Sequence, residues 1–521
     1  MDMIKILWAD DEIDLLKPQL LFLEKKGYNV ITVSNGHDAL EECEERNDID
    51  VVFLDESMPG LTGLETLSKL KESSPNMPVV MITKNEAETV MEEALGSSIA
   101  DYLIKPVNPN QILLTLKKIV DNKRLISEKT ATDYQMDFRQ LSMQIMDNPD
   151  VNTWVDVYKK IIYWELKLNE SNTSEMSDIL DIQKTEANRA FSKFIEKKYP
   201  DWIGSDKEDV PIMSHNLMSK KVFSHVNEER PTVFLLLDNL RMDQWKILEP
   251  IITDLFRIEE EDSFYSILPT TTQYSRNAIF AGLMPSEIQK HYPDWWRNDM
   301  DEGGKNSFES QLLEAQLNRV FHKPIKHEYI KVTNVAKGKQ MLSNAYNYLN
   351  NDLTVIVYNF IDMLSHARTE MEVLKELAGD EAAYRSLTQS WFLHSYLWEM
   401  LQNIAEKDVQ LFIATDHGTI RVQSPSKVIG DKDTTTNLRY KVGRNLKYAN
   451  KDVLEIKDPS KVLLPKPNIS STFIFAKEDK YFLYPNNYNH YNAYYKNTFQ
   501  HGGISLEEMV CPIIRLVSKN K

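Results

Sequence analysis

Val51-Val52-Phe53-Leu54-Asp55 is a run of four apolar residues ending on a carboxylate, and the turn-forming stretch Glu56-Ser57-Met58-Pro59-Gly60 follows it. A half-exposed strand alternates apolar and polar residues, whereas a continuous apolar run of this length suits a strand covered on both faces of a parallel sheet. Working outward, Ile4-Lys5-Ile6-Leu7 leads to Asp10 and Asp11, Val79-Val80-Met81-Ile82 to Thr83, and Tyr102-Leu103-Ile104 to Lys105-Pro106. Stretches with helical periodicity separate these runs, so the segment is predicted to be alternating β/α with a doubly wound parallel sheet. Ligands of such sheets bind at the carboxyl ends of the strands. That rule sets Asp10, Asp11, Asp55, Thr83 and Lys105 around one crevice.

Phosphoryl transfer to a carboxylate needs the nucleophile itself, a divalent cation to offset the phosphate charge, and a fixed cation opposite. Asp55, Asp10, Asp11 and Lys105 supply that set. Any one of the carboxylates alone would be equally well explained as a helix cap. Together, WADDE (8–12), LDESMPGLTGLE (54–65), MITKN (81–85) and YLIKP (102–106) resemble the response-regulator receiver family over the whole of residues 1–121. The resemblance implies that a sensor histidine kinase phosphorylates Asp55. It also implies that Asp11 and Asp55 hold Mg²⁺ with the Ser57 carbonyl and Asp10 in support, that Thr83 follows the phosphoryl oxygen, that Tyr102 is the coupled aromatic, and that Lys105 pairs with the phosphate. A phosphorylation-promoted homodimer is the family expectation.

A chain of 521 residues exceeds the size of one core, so two or three domains are expected. With 78 acidic against 61 basic residues and a formal charge of −17, direct duplex-DNA binding and anionic-membrane binding are disfavoured. Cys43 and Cys511 are too few and too far apart for a disulfide framework or a thiolate metal site, which suits a reducing cytoplasm. No apolar run approaches the length of a membrane span, so no membrane insertion is expected.

Residues 122–215 are rich in helix formers, and Trp154, Tyr158, Ile161 and Ile162 are spaced for one helical face, giving a helical connector. A Gly/Ser/Asp/Pro-containing stretch between Trp202 and Pro211 breaks that pattern, and a second α/β domain is expected over 216–521. Its apolar runs at 233–237, 355–360 and 411–415 each lead into chemistry: Asp238, then Asp362 with His366, then Asp416-His417. Asp362 and His366, four apart, share a face if a helical turn follows the strand, and His501 would complete that site. Asp238, Asp416 and His417 lie at strand ends that abut in a parallel sheet, giving a second nitrogen-and-oxygen site. Zinc suits both, with manganese the alternative. In Leu268-Pro269-Thr270-Thr271-Thr272-Gln273 a hydroxyl ahead of a helix is the candidate nucleophile toward phosphate.

This order (Asp, Thr, Asp-x-x-x-His, Asp-His, His) is similar to the alkaline phosphatase superfamily, and within it to PglZ-type domains. A receiver fused to such a domain resembles the response regulators of type IX secretion. The resemblance implies two Zn²⁺ ions, one held by Asp238, Asp416, His417 and the nucleophile, the other by Asp362, His366 and His501. Nucleotide phosphodiesterases of the superfamily carry their nucleophile as the second threonine of Pro-Thr-x-Thr before a Gly-Leu-x-Pro turn, here Gly282-Leu283-Met284-Pro285; that register selects Thr272, with Thr271 the alternative.

Two further features bear on substrate. Tyr484, Tyr488 and Tyr491 precede His501 and would stack on bases or pack a domain edge. Arg421, Lys432, Arg439, Lys441 and Arg444 would hold flanking phosphates or be solvated surface charge. The expected activity is hydrolysis of nucleotide or short-oligonucleotide phosphodiesters. The competing expectation is a non-catalytic docking platform for a sigma factor or a secretion-system component.

Overall fold

The computed structural model describes residues 3–46, 48–75, 77–84, 99–171, 174–204, 210–227, 230–371 and 379–519. Asn85 of the MITKN motif, residues 205–209 of the breaker stretch and the last two residues of the tail lie outside them. By internal packing the chain forms two compact units, residues 1–133 and residues 134–170 with 174–521.

In the first unit, strands β1 (Lys5–Ala9), β2 (Asn29–Val33), β3 (Val51–Asp55), β4 (Val79–Thr83) and β5 (Asp101–Ile104) form a sheet in the order β2-β1-β3-β4-β5. All of its pairings are parallel. Residues of alternating parity feed two cores. Ile6, Trp8, Val51, Phe53, Val80 and Ile82 pack with Leu23, Ile112 and Leu116 on one face. Leu7, Ala9, Val52, Leu54, Val79 and Met81 pack with Ala39, Leu67 and Leu70 on the other. The apolar runs are continuous because both faces are covered. Helix α1 (Lys17–Lys25) covers the first face; α2 (Gly36–Glu45) and α3 (Gly63–Ser73) cover the second. Thr62 caps α3 in a reciprocal box with Glu65. Gly63 must lack a side chain, because a Cβ there would lie 2.3 Å from the Asp55 carbonyl oxygen.

Helix Pro109–Met146 runs from the receiver segment into the connector, where helices Val151–Glu170 and Ser174–Trp202 follow. Trp154, Tyr158, Ile161 and Ile162 are all buried, along the stripe their spacing predicts. The connector helices have no core of their own from Tyr134 on, because their apolar faces belong to the same cluster as the C-terminal sheet. Trp202 meets the ring of Tyr265 edge-on at 5.5 Å, and the Tyr265 hydroxyl donates to the Val151 carbonyl at 2.9 Å.

The C-terminal sheet contains β6 (Thr232–Leu237), β7 (Phe256–Tyr265), β8 (His327–Val332), β9 (Leu353–Tyr358), β10 (Gln410–Ala414) and a last strand, Val510–Ser518. Its order is β7, last strand, β10, β6, β9, β8. Strands β10, β6, β9 and β8 are parallel, and the last strand runs against β10 and β7. The three strands that lead into Asp416, Asp238 and Asp362 are therefore consecutive, and their carboxyl ends abut. None of the described helices is long and apolar enough to cross a membrane.

Candidate functional site

The receiver crevice is built from strand ends. Asp10 follows β1 and is fully buried, Asp11 is exposed beside it, and Asp55 closes β3; their carboxylates offer oxygens that all lie within 4.8 Å of one another. Lys105 Nζ donates to Asp10 Oδ2 at 2.9 Å and to Asp55 Oδ1 at 3.0 Å. Burial, with Asp10 and Asp11 adding like charge against the pull of Lys105, pushes the Asp55 carboxyl up to about 6. Three carboxylates facing one ammonium leave net negative charge, so a divalent cation fits. Thr83 ends β4 and its hydroxyl donates to the Glu56 carboxylate. Ser57 starts the turn after β3 with its side chain exposed, and Tyr102 is 37% exposed. Glu56 has no place in the motif-based reading, although its position directly after Asp55 was the available signal.

In the C-terminal domain the structure brings both ligand groups together. Asp238, Asp416 and His417, all fully buried, each offer an atom within 4.8 Å of the others, and so do Asp362, His366 and His501. Asp362 and His366 lie one turn apart on helix Phe360–Glu370, directly after β9, with His366 Nε2 at 3.5 Å from Asp362 Oδ1. His501 Nε2 lies 3.7 Å from the same oxygen. The two groups touch, because the His417 and His501 rings stack at 4.3 Å.

The backbone fixes which nitrogen of each buried histidine faces the cluster. Nδ1 of His417 is 3.1 Å from the Gly418 carbonyl and Nδ1 of His501 is 3.2 Å from the Thr270 carbonyl; donation there leaves each Nε2 free as a ligand atom. Burial lowers the pKa of both imidazoles, keeping them in the neutral form that a metal needs. Burial also pushes Asp362 up to about 6 and Asp416, next to Asp238, well above the usual range. The second carboxylate oxygen of Asp416 is buried without a hydrogen-bond partner. Crowded buried carboxylates, an orphaned oxygen and neutral imidazoles fit a pair of divalent cations.

Among the three threonines, Thr272 opens helix Thr272–Ala281, and its Oγ1 is 3.3 Å from Asp238 Oδ1 and 3.2 Å from His417 Nε2. The Thr271 hydroxyl is buried without a partner. Thr270 instead braces the histidine loop: its hydroxyl accepts from the Gly502 N–H at 3.0 Å and donates to the Gly503 carbonyl at 2.9 Å. Gly502 adopts φ +120°, and a Cβ there would meet the Tyr440 ring at 2.8 Å.

Four supporting residues, Arg276, Glu309, Lys331 and Asn239, escaped the sequence reading. Arg276, buried, donates to Asp238 Oδ2 at 2.7 Å and to Glu309 Oε1 at 2.6 Å, and Lys331 also reaches Glu309. Its signal was position, four residues after Thr272 on one helix. Asn239, at φ +68°, donates its backbone N–H to Asp416 Oδ1 at 3.2 Å and its amide to Asp362 Oδ1 at 3.3 Å, linking the two groups.

Packing corrects the substrate contacts expected at Arg439 and Tyr484 and leaves the other basic and aromatic positions in varied surroundings. Arg439 is fully buried, pairs with both oxygens of Glu508 and donates to the Lys480 carbonyl, so it is structural. Lys441 is buried against the ring of Tyr484, whose hydroxyl donates to the Thr435 carbonyl, so these two are structural as well. Arg444 lies between Asp431 and Asp433, and Arg421 lines a cavity with Glu381, Asp479 and Glu507, so neither has the electropositive surroundings a phosphate would seek. Tyr488 stacks with Lys427, and Tyr491 is exposed beside Tyr495.

The fold and these sites define a response regulator that joins a receiver domain to an alkaline phosphatase-like output domain. The family model of the BREX system PglZ alkaline phosphatase-like domain matches residues 217–516, and the chain belongs to that family. The response regulator receiver domain matches 6–117 and the PorX response regulator linker domain 124–203, an order that matches a PorX-like architecture. The transcriptional regulatory protein SrrA of Staphylococcus aureus is 27% identical over 168 residues, covering 30% of this chain and 69% of SrrA. Solved structures similar to the receiver segment include chemotaxis response regulator CheY4 of Vibrio cholerae, 28% identical over 23% of this chain and 99% of that one, with a TM-score of 0.22. A receiver domain protein from Clostridium thermocellum is 32% identical over 23% and 98%, with a TM-score of 0.23.

Proposed function

We propose that phosphorylation of Asp55 by a sensor histidine kinase controls homodimerisation and the output of a zinc-dependent phosphodiesterase, with Thr272 as its nucleophile. The observation that carries the catalytic half is the Thr272 hydroxyl, within 3.3 Å of both Asp238 and His417 at the start of a helix. Two divalent ions, when bound by Asp238, Asp416 and His417 and by Asp362, His366 and His501, would acidify a hydroxyl and offset charge on phosphoryl oxygens.

Asp238 and His417 orient the Thr272 oxygen, and the helix N-terminus behind it favours an anionic substrate. The oxygen attacks phosphorus in line, its proton passes to solvent, and the bond to the leaving alkoxide breaks; the alkoxide is protonated by water. Water then cleaves the phosphothreonine and restores the hydroxyl. In the receiver, Asp55 takes the phosphoryl group from the kinase histidine, Lys105 pairs with it, and the Thr83 hydroxyl leaves Glu56 to follow the new oxygen.

The register of Thr272 ahead of the Gly282 turn supports a nucleotide diester, with short oligonucleotides as the substrate class. The linker match supports a place in type IX secretion, where a sigma factor or a secretion-system component would be the downstream partner. Turnover of bis-p-nitrophenyl phosphate and of a dinucleotide by Thr272→Val tests the reading. A loss of roughly a thousandfold with two metals retained is expected. Unchanged turnover would sink it in favour of a docking platform.

A further inference from the structure

A cleft of about 690 Å³ opens on the connector helices, away from every candidate ligand. One wall is helix Ser174–Trp202, which presents Arg189, Lys193 and Lys197 at successive four-residue steps, with Lys198 beside them, all exposed. The other wall is the end of helix Pro109–Met146 and the turn that follows it. Between them lie Ile145, Ala190 and the partly buried ring of Phe194, while Met146 stands 77% exposed at the mouth.

Three of the four cations have no carboxylate partner among the described residues. Arg189 approaches Glu478 at 3.9 Å, but among the described residues no carboxylate lies within 4 Å of Lys193, Lys197 or Lys198. On a protein of charge −17, four cations on one wall of an apolar-floored cleft are a local reversal of sign. Of the two acidic residues in the lining, Asp150 already accepts from the Thr153 N–H at 2.8 Å. A methionine at the mouth of such a cleft adapts its shape to an incoming apolar side chain.

We propose that this cleft docks an acidic amphipathic helix of a partner protein, its apolar face on Ile145, Phe194 and Met146 and its carboxylates on Lys193, Lys197 and Lys198. Both walls are helices and no strand edge lines the cleft, so a helix in the groove suits it better than an added strand. A nucleic acid suits it less well. The Trp154 ring is fully buried and offers no face for a base. The docking helix is recognised by charge complementarity over an apolar anchor, a combination that sets both rate and specificity of association.

The test is selection of random displayed peptides of about 16 residues on the full-length protein, long enough for four helical turns. The Lys193→Glu/Lys197→Glu variant serves for counter-selection. Enriched peptides should be net acidic with apolar residues three and four apart, should bind less tightly as salt rises, and should lose roughly tenfold or more in affinity on the variant. Met146→Ser, which removes apolar surface without changing charge, should weaken them independently of the lysines. If the charge reversal lowers the melting temperature, Lys193→Gln/Lys197→Gln takes its place. Absence of enrichment, winners that are not acidic, winners indifferent to the lysines, or tighter binding of a single-stranded oligonucleotide of equal charge would each overturn the proposal.

Discussion

Arg276 ties the candidate metal cluster to the start of a second helix, Glu309–Val320: Nη1 donates to Asp238 Oδ2 at 2.7 Å while Nε donates to Glu309 Oε1 at 2.6 Å. Both carboxylates are buried, so the guanidinium offsets charge as well as orienting a ligand. Replacing one partner of a buried ion pair costs about 3–5 kcal/mol, because the other charge is left uncompensated. Arg276→Met should therefore lower the melting temperature of chelator-treated protein. Added Zn²⁺ should then raise it by more than in the parent, since the ions meet a more negative site. Equal metal-induced shifts in thermal unfolding would contradict this role.

The threonines should separate cleanly. Thr272→Val removes the hydroxyl beside Asp238 and His417, whereas Thr271→Val removes one that has no hydrogen-bond partner. Phosphodiester turnover should fall by about a thousandfold in the first and by less than about threefold in the second. The reverse ranking would move the nucleophile to Thr271.

Metal stoichiometry should follow the two ligand groups. Asp362→Ala takes the shared oxygen from His366 and His501 but leaves Asp238, Asp416 and His417 in place. Elemental analysis should find about two ions per chain in the parent and about one in the variant, given one ion per ligand group. An unaltered count would detach Asp362 from the site.

Lys441 gives a pH signature outside the candidate site. Burial pulls its ammonium down to about 7, below its ordinary value near 10.5. The folded state then binds fewer protons than the unfolded one between those values, so this residue's destabilisation is fully present below pH 7 and fades as pH rises toward 10.5. Lys441→Met should gain stability over the parent mainly at acidic and neutral pH. Denaturant midpoints whose difference stays constant from pH 6 to 10 would refute the assignment.

For the receiver, acetyl phosphate with Mg²⁺ should shift the parent toward dimers, and Asp55→Ala should stay as it was. Analytical ultracentrifugation reads the difference, and dimerisation of the variant would break the link between phosphorylation and assembly.

The sequence made the site more legible than the sheet around it. Strands β6, β9 and β10 are continuous apolar runs because they lie in the middle of the sheet, and polar residues at their ends stand out against them. Strand β7 reads Phe-Arg-Ile-Glu-Glu-Glu-Asp-Ser-Phe-Tyr, whose acidic centre is tolerated only at a half-exposed edge. The last strand carries Pro512, which argues against an interior strand, yet it pairs on both sides with its register shifting between Arg515 and Leu516. Charge density misled where direction mattered. Arg439 turns inward to Glu508, 69 residues away, a partnership that no local pattern carries.

Asn188, on connector helix Ser174–Trp202, accepts from the Leu506 N–H at 2.8 Å and donates to Glu507, so the segment leading into the last strand is pinned from outside its own domain sequence. A fragment cut at residue 217, where the PglZ match begins, would keep every candidate ligand of the C-terminal domain. It would also bare Tyr265 and strand Glu507 and Leu506, inviting aggregation that would pass for inactivity. Dissection of this protein should cut near Tyr134 instead, treating the linker as a wall of the alkaline phosphatase-like domain.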